Sequence, residues 1–395
     1  MDSIPEIRKR KRKGARLIKI ILSILILALV TAGVLYLLGW GDIASSKLYQ
    51  FYRQVVAGME SVSFRFENGG EAFADFGGGV AVDGSAGLQV YNNKAELVFT
   101  EIFDMKKPAV ITRGGYGVAY DVGGTAARVF DRGGVTARIT APKKIISATV
   151  CSSGCVALTT QFDGYKGLIT VYDSAGKELY KWFSASAYAL SASLSPDGRE
   201  MAALTLGGGG SRVSFFTLDS DKEKAVCFLE DVVLLEVSHL GEDGVLAVGA
   251  GELARVGSDG SVSILLDFSD RYLETYALWD GKAFLSLNTY AVGSQGLLAV
   301  LDKDGEYLGV REKEGKILSA SASGDYVAVL YPERLVIYNK QLETLAEHDV
   351  PAGAGHVLMR GDGTALVLSK YAAEAYSASA PAAAERSVGT IEPGD

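Results

Sequence analysis

A repeating pattern of short strands and tight turns runs through most of this chain and limits the folds that it can adopt. From about residue 61, runs of β-branched, aromatic and small apolar residues alternate with turns that contain Gly and Asp, which predicts many short strands. An apolar strand, an Asp/Asn-Gly type turn and a second strand recur at steps of 37 to 46 residues. Matching positions in successive copies are Tyr91, Phe130, Tyr172, Leu218, Val256, Leu301 and Tyr338.

A second hairpin precedes each copy, so that each repeat of about 40 residues contains four strands. Examples of this hairpin are residues 189–206, 317–331 and 356–370. The period and the strand count are typical of the blades of a β-propeller. One blade cannot bury both of its faces alone, whereas a ring of blades stacks them into a continuous core. Such a ring also accounts for a single domain longer than the roughly 250–300 residues at which one compact core stops growing.

We therefore predict an all-β fold, a β-propeller over residues 61–377, with eight blades favoured and seven as the alternative. A β-sandwich array or a β-solenoid would be the other architectures. The eighth unit contains only three strands, and residues 61–66 form a strand without a unit. We expect this strand to complete the last blade and close the ring, which leaves no open edge there. The predicted units are 71–103, 108–140, 145–183, 188–230, 233–269, 273–311, 316–348 and 353–377.

An uncharged apolar segment, residues 20–40, precedes the repeats. As a helix, its residues would span about 31 Å, which matches the hydrocarbon thickness of a bilayer. Residues 1–19 carry eight basic and two acidic side chains, so the positive-inside rule places them in the cytoplasm and the repeats outside. We predict a single-pass plasma-membrane protein with an uncleaved signal-anchor. The alternatives are a cleaved signal peptide and a buried helix of a soluble protein.

Two further segments flank the predicted propeller. Residues 41–60 contain apolar side chains at helical spacing from Leu48 to Val56, which predicts a juxtamembrane helical stalk. Its apolar face would pack on the propeller or, as the alternative, lie on the membrane surface. Residues 378–395 are rich in Ala, Ser, Pro and Gly without periodicity, which predicts a disordered tail.

Sequence motifs of catalytic and metal sites are missing from the chain. The three histidines, His239, His348 and His356, are isolated in sequence, and no nucleophile elbow, zinc motif or phosphate-binding loop occurs. The segment 302–305 resembles the start of a calcium loop but lacks its third ligand and its distal glutamate, so a turn explains it better. We therefore assign no catalytic residues, metal ligands or cofactor. Enzymatic activity stays uncertain and is the less favoured interpretation.

Two cysteines flank a turn. Cys151 and Cys155 would lie on paired strands on either side of a three-residue turn, a separation that a disulfide can span. Outside the membrane such a bond would persist. A structural disulfide, two free thiols and a redox-active pair all stay open at this point.

The turn Leu194-Ser195-Pro196-Asp197-Gly198-Arg199 resembles the SPDG turn of TolB-type and WD40-like bacterial propellers. The layout of basic tail, membrane helix and repeats resembles a family of uncharacterised bacterial single-pass membrane proteins with a propeller ectodomain. This resemblance implies a WD40-like fold held outside the cytoplasm. It implies no catalytic residue.

The function favoured by these observations is that of a membrane-tethered binding or scaffold module for an envelope protein or polymer. The alternative is a propeller enzyme acting on carbohydrate or peptide, with carboxylates from different blades converging at the central channel. Signalling through the helix is a third hypothesis, in which the short tail could only recruit a partner. Residues beyond position 19 carry a net charge of −14, which disfavours nucleic acid and suits a cationic partner or simply solubility. The bilayer would be contacted through residues 20–40.

Overall fold

The computed structural model describes residues 63–220 and 222–379, which contain 32 β-strands and one 3-10 helix, Gly241–Asp243. Within these two ranges, no helix is long and apolar enough to cross a membrane. The predicted segments 1–19, 20–40 and 41–60 lie outside the described residues, as does most of the predicted tail 378–395. The strands form eight separate four-stranded antiparallel sheets.

The first four blades follow the chain in order, and each runs from an inner to an outer strand. Blade 1 contains β2 (Ala72–Phe76), β3 (Gly79–Gly84), β4 (Gly87–Tyr91) and β5 (Leu97–Ile102). Blade 2 contains β6 (Pro108–Arg113), β7 (Tyr116–Asp121), β8 (Ala126–Asp131) and β9 (Gly134–Thr140). Blade 3 contains β10 (Ile145–Val150), β11 (Val156–Thr160), β12 (Gly167–Tyr172) and β13 (Glu178–Ser184). Blade 4 contains β14 (Tyr188–Leu194), β15 (Glu200–Gly207), β16 (Gly210–Thr217) and β17 (Glu223–Glu230).

The last four blades continue this order, except that the final blade takes its outer strand from the start of the described chain. Blade 5 contains β18 (Leu234–His239), β19 (Val245–Gly249), β20 (Glu252–Val256) and β21 (Val262–Asp267). Blade 6 contains β22 (Tyr272–Trp279), β23 (Lys282–Asn288), β24 (Gln295–Leu301) and β25 (Tyr307–Glu314). Blade 7 contains β26 (Ser319–Ser323), β27 (Tyr326–Leu330), β28 (Arg334–Asn339) and β29 (Thr344–Asp349). Blade 8 contains β30 (His356–Met359), β31 (Thr364–Leu368), β32 (Ala372–Ser377) and β1 (Ser63–Arg65).

Ring closure by β1 confirms the prediction of eight blades. Ser63 pairs with Glu374 and Arg65 with Ala372, so that β1 is the outer strand of blade 8. Phe64, the middle residue of β1, is fully buried and its ring meets that of Tyr91 edge-on at 6.5 Å. The backbone of β1 therefore belongs to blade 8, whereas its Phe64 side chain packs against blade 1.

The hydrophobic core lies between adjacent blades. Because each blade is covered by a neighbour on both sides, its middle strands are apolar on both faces, and β11 and β19 are buried throughout. Val118 and Val129 of blade 2, for example, share one buried cluster with Ile145 and Leu158 of blade 3. Stacking the blades in a ring therefore buries the apolar faces that a single blade would leave exposed to water.

The repeated aromatic position of the sequence pattern marks a β-bulge. Between the third and fourth strands, the register shifts at Tyr91, Phe130, Tyr172, Leu301 and Tyr338, which are five of the seven matched positions. In blade 4 the shift falls at Phe216, so the match at Leu218 was wrong by two residues. In blade 5 the shift falls at Ala254, but Val256 keeps the repeated position, because it pairs with Val245 and precedes a turn closed by a hydrogen bond from Gly257 to Ser261. A two-residue slip keeps a side chain on the same face of a strand, which is why the apolar pattern did not reveal it.

The connections of the ring define two faces. We call the face that carries the connections between second and third strands, and between blades, the loop face. The opposite turn face carries the connections between first and second strands and between third and fourth strands. Ser63 and Ser377, the ends of β1 and β32, both lie at the turn face. Inner strands run from the loop face to the turn face around a central channel.

Candidate functional site

The loop face carries most of the exposed aromatic side chains among the described residues. Six of the eight exposed Tyr and Phe side chains lie there, although aromatic residues are usually buried. Tyr307 lies at the turn face, and Phe228 lies on the outer strand of blade 4. The six loop-face residues are Tyr165, Phe183, Tyr188, Tyr272, Tyr290 and Tyr371.

Blade 3 and the start of blade 4 form the densest aromatic cluster on this face. The Phe162 and Phe183 rings meet edge-on at 5.2 Å, and the Tyr165 ring lies 4.9 Å from that of Phe183. Lys166 places its ammonium group 4.8 Å from the centre of the Tyr188 ring, within cation–π range. The cluster forms because the six-residue connection between β11 and β12 folds back over the end of β13. We call these five residues the blade 3 patch.

Four further lysines lie in the loop-face connections before blades 2 and 3. Lys106 and Lys107 precede blade 2, Lys143 and Lys144 precede blade 3, and all four are exposed. Lys143 binds Asp163 at 2.6 Å, and the carbonyl of Lys144 accepts a hydrogen bond from the amide of Gln161. With Lys166, the loop-face connections of blades 2 and 3 therefore carry five lysines against two aspartates. This part of the face is basic although the chain is acidic overall.

The carboxyl group of Glu236 lies at the central channel. Glu236 lies on the inner strand of blade 5, and its pKa is raised by burial among protein atoms, although its side chain is accessible from the channel. A hydrogen bond to Tyr276 of blade 6 and the charge of Arg113 of blade 2 oppose this rise. The same contact, together with burial, raises the pKa of the Tyr276 hydroxyl. Neither interaction brings a second carboxylate to Glu236.

A second channel carboxylate, Asp75, belongs to an ion pair. Its Oδ1 accepts a hydrogen bond from Arg360 Nε at 2.7 Å, which ties blade 8 to blade 1. Asp75 borders a cavity of about 440 Å³ at the turn-face end of the channel, together with small polar side chains such as Thr112 and Ser321. Burial raises the pKa of Asp75, Arg360 opposes the rise, and the charge of Asp362 adds to it. Asp75 is thus a member of an ion pair between two blades.

The three histidines lie on three different blades. His239 ends β18 and both of its ring nitrogens are buried without a hydrogen-bond partner in the described structure. The Nε2 atom of His348 lies 2.9 Å from the carbonyl oxygen of Ser377, and the ring of His356 lies 5.3 Å from that of Phe73, tilted by 52°. The structure therefore gives them separate environments. The described residues contain no group of three or more His, Cys, Asp or Glu side chains able to hold a metal ion.

The segment that resembled a calcium loop is a turn between β24 and β25. The Asp302 carboxylate accepts hydrogen bonds from the amides of Asp304 and Glu306 within its own turn, at 2.9 and 3.0 Å. Asp304 in addition binds Arg255 of blade 5. These contacts give the two aspartates a structural role.

Cys151 and Cys155 face each other across the first turn of blade 3, as the sequence predicted. Both are thiols in the structure, and both Sγ atoms lie near Ser153 Oγ, at 3.1 and 3.8 Å. The amide of Cys151 donates to the carbonyl of Cys155. A disulfide between them stays a prediction. Cys227 is a buried thiol of blade 4.

The Cys155 thiol is expected to react slowly with alkylating reagents. Burial, opposed by the hydrogen bond from Ser153 and reinforced by Cys151, raises its pKa, and a higher pKa lowers the fraction of reactive thiolate. At pH 8 we expect iodoacetamide to modify Cys155 in the folded protein about tenfold more slowly than in denaturant. Mass spectrometry of the labelled peptides would measure both rates. Equal rates would contradict the buried environment and favour a redox-active pair.

The SPDG turn borders an open cleft on the turn face, a cavity of about 710 Å³. Ser195 Oγ donates to Asp197 Oδ1 at 2.6 Å and accepts the amide of Glu200, while Gly198 adopts a φ of +73°. No room exists for a Cβ at Gly198, because it would lie 2.8 Å from Cys155 Sγ. The turn is thus held by its own side chains and by the neighbouring blade.

Sequence reasoning missed the aromatic loop face. Tyr165, Tyr188 and Tyr290 are far apart in sequence and none belongs to a motif. Their common property is position, because each follows the second strand of a blade or begins an inner strand. Assigning each connection of the predicted blades to one of the two faces would have brought these residues together.

A model of a family of unknown function (DUF5711) matches residues 55–368 of the chain. A comparison with curated protein sequences found no match.

Solved structures with the same fold include propellers from fungi and bacteria. Saccharomyces cerevisiae Sqt1 is 10% identical, with a TM-score of 0.59, over 81% of this chain and 99% of that one. Chaetomium thermophilum Sqt1, bound to the N-terminus of ribosomal protein L10, is 13% identical, with a TM-score of 0.56, over 80% and 100%. BamB from Moraxella catarrhalis is 15% identical, with a TM-score of 0.51, over 80% and 96%. At these identities the likeness concerns the fold alone.

Proposed function

The chain belongs to the DUF5711 family, and we propose that its propeller is a protein-binding module that engages its partner through the loop face. The observation that carries the proposal is the concentration of exposed aromatic side chains on that face. Tyrosine, in particular, is enriched at protein interfaces because its rigid ring contributes a large apolar area and its hydroxyl can hydrogen-bond. Leaving six such rings in water is difficult to explain by folding alone.

A propeller suits this function because its rigid blades present loops from eight units on one surface. A likeness of fold does not transfer a function, so the solved structures support the proposal only by showing what a propeller of this fold can bind. Chaetomium thermophilum Sqt1 binds the N-terminus of ribosomal protein L10, so a propeller of this fold can hold a protein segment.

We further propose that the module is tethered to the plasma membrane by residues 20–40, with its propeller outside the cytoplasm. The support is the sequence pattern, an uncharged segment of sufficient length preceded by a basic tail. The partner would then be a protein or polymer of the cell envelope. Tethering would raise the effective concentration of the module for partners near the bilayer.

Photo-crosslinking from single positions tests the binding face. The full chain would be produced in cells with benzoyl-phenylalanine in place of Tyr290 or Tyr165, on the loop face. We expect a covalent adduct with one discrete protein from both positions, because a partner that covers the exposed rings brings its atoms within reach. Tyr290→Ala and Tyr165→Ala are each expected to weaken that complex about fivefold or more. The measurement is the mass and yield of the adduct and the affinity of the isolated pair.

Tyr307 provides the matched control, because it is an equally exposed tyrosine on the turn face. The same crosslinker there should give little of this adduct. An equal yield from Tyr307, or no adduct from either loop-face position, would contradict the proposal.

The enzyme alternative finds less support. It requires carboxylates that converge on one site, whereas Asp75 is paired with Arg360 and Glu236 with Tyr276. No specific observation favours it over binding.

A further inference from the structure

We propose that the blade 3 patch and the lysines around it bind an extended acidic peptide segment that carries an aromatic or large apolar anchor. This inference rests on the proposed function and adds the chemistry of the partner. The surface consists of the five patch residues together with Lys106, Lys107, Lys143 and Lys144.

The aromatic part of the surface offers a place for an apolar anchor. Tyr165 and Phe183 keep 45% and 38% of their surface exposed, although each contacts Phe162. The edge-on and tilted contacts leave ring faces open, and a further ring can pack against them in the same way. Tyr188, which is 59% exposed, extends this apolar surface onto blade 4. Such a rigid cluster loses little conformational entropy when a partner covers it.

The positive charge of the surface favours a negatively charged partner. Among the described residues, a carboxylate partner is found for one of its five lysines, Lys143, which pairs with Asp163. The ammonium group of Lys166 lies over the Tyr188 ring, where a partner carboxylate could pair with it beside the apolar anchor. Elsewhere the described loop-face connections carry five acidic side chains, Glu67, Glu71, Asp231, Asp270 and Glu333, and three basic ones, Arg271, Lys316 and Lys370. An acidic segment would therefore be attracted most strongly to blades 2 and 3.

The same charge distribution favours a short peptide over a bilayer or a long polyanion. Screened charges act over about 8 Å at physiological ionic strength, so an acidic segment that extends beyond these lysines meets connections that are acidic on balance. A peptide of a few residues can stay within the basic region. Electrostatic attraction of this kind sets the association rate and the specificity, while the aromatic contacts supply affinity.

Defined peptides test the inference on the full chain in a non-ionic detergent. The probe is a fluorescein-labelled, Asp- and Glu-rich peptide with one Phe, compared with the same peptide with Phe replaced by Ser and with a Lys-rich counterpart. We expect the acidic Phe peptide to bind best, and its affinity to fall with added salt. Lys144→Glu combined with Lys166→Glu is expected to weaken it by about tenfold or more.

The matched control is Lys316→Glu combined with Lys370→Glu, the same charge reversal on the other side of the loop face, where both lysines are exposed. It should change the affinity by no more than about twofold. Equal weakening by the two double variants, or equal binding of the Lys-rich peptide, would overturn the inference. So would Lys144- and Lys166-dependent binding to phosphatidylglycerol vesicles in place of peptides. If peptides fail while the Tyr290 adduct persists, the proposed binding face stands and only the chemistry of its partner is wrong.

Discussion

Replacing Lys313 by Ala is expected to lower the free energy of unfolding by about 3 to 5 kcal/mol, because it leaves a buried carboxylate without its cation. Lys313 lies on the outer strand of blade 6, and its side chain is fully buried. It crosses Gly296 to reach Asn288 on β23 and Glu274 on the inner strand, whose Oε2 is 2.6 Å from Nζ. Ser286 Oγ donates a further hydrogen bond to the same oxygen. Chemical denaturation of the variant and the parent would measure the difference.

Two comparisons show whether burial of the charge is the cause. Lys181→Ala breaks the ion pair with Glu178, which is also 2.6 Å long but has both side chains more than 40% exposed. This loss should cost no more than about 1 kcal/mol. Combining Lys313→Met with Glu274→Gln removes both charges and should recover most of the lost stability. A Lys313→Ala variant as stable as Lys181→Ala would contradict the argument.

Asp83→Asn is expected to stabilise the propeller by about 3 to 5 kcal/mol at pH 8, since the side chain is fully buried and ionises only at a free-energy cost. Burial raises the pKa of Asp83 to about 8, and the charges of Asp121 and Glu71 add to the shift. The nearby amide of Gly84 offsets only part of it. Both carboxyl oxygens lack a hydrogen-bond partner in the described structure.

The direction in which stability changes with pH follows from proton binding. Between the unfolded pKa of about 3.8 and the folded pKa of about 8, the folded chain holds a proton that the unfolded chain has released. The contribution of Asp83 to stability is therefore greatest below pH 4 and falls as the pH rises towards 8. An asparagine has no such titration. Thermal melts from pH 4 to pH 8 should show the advantage of the variant growing with pH.

Asp121 in blade 2 provides the control, because it occupies the same place in the next blade. Asp83 pairs with the first residue of β2, and Asp121 pairs with the first residue of β6. However, Asp121 Oδ1 accepts amide hydrogen bonds from Lys106 and Lys107 at 2.9 and 2.8 Å. Asp121→Asn should therefore gain much less stability at pH 8 than Asp83→Asn, because the loss of these two hydrogen bonds to a carboxylate offsets the relief of its repulsion with Asp83. An equal gain in stability in both variants would show that burial of the Asp83 carboxyl group is not the cause of the gain.

The blades could be predicted from the sequence because their determinants are local. Short apolar strands and turns that need a glycine, such as Gly198 at φ +73°, repeat at a regular spacing. The leftover strand at residues 61–66 was recognised because the eighth unit was one strand short. The repeated position in blade 4 was placed two residues too late, at Leu218, since a slip of two residues preserves the inside-outside alternation.

The buried charges and the binding face could not be predicted in the same way. Glu274 and Lys313 are 39 residues apart, on the two edges of one blade, and nothing in the local pattern indicates that they meet. Asp83 ends a strand of ordinary appearance, and its environment is set by the next blade and by the loop before β2. The blade 3 patch likewise depends on which connections share a face. Each of these features depends on contacts between blades or across a whole blade.

Closure of the ring by β1 has a consequence for biosynthesis. The first strand of the described chain, β1, pairs last, because Ser63 must wait for Glu374, 311 residues later. At the usual rate of about 5–20 residues per second, a ribosome needs roughly 15–60 s to make that partner. During this time Phe64 and the unpaired edge of β1 stay available to other chains, as does the open flank of blade 1. We therefore expect nascent chains that lack blade 8 to depend on chaperones and to become resistant to proteases only when β32 has emerged.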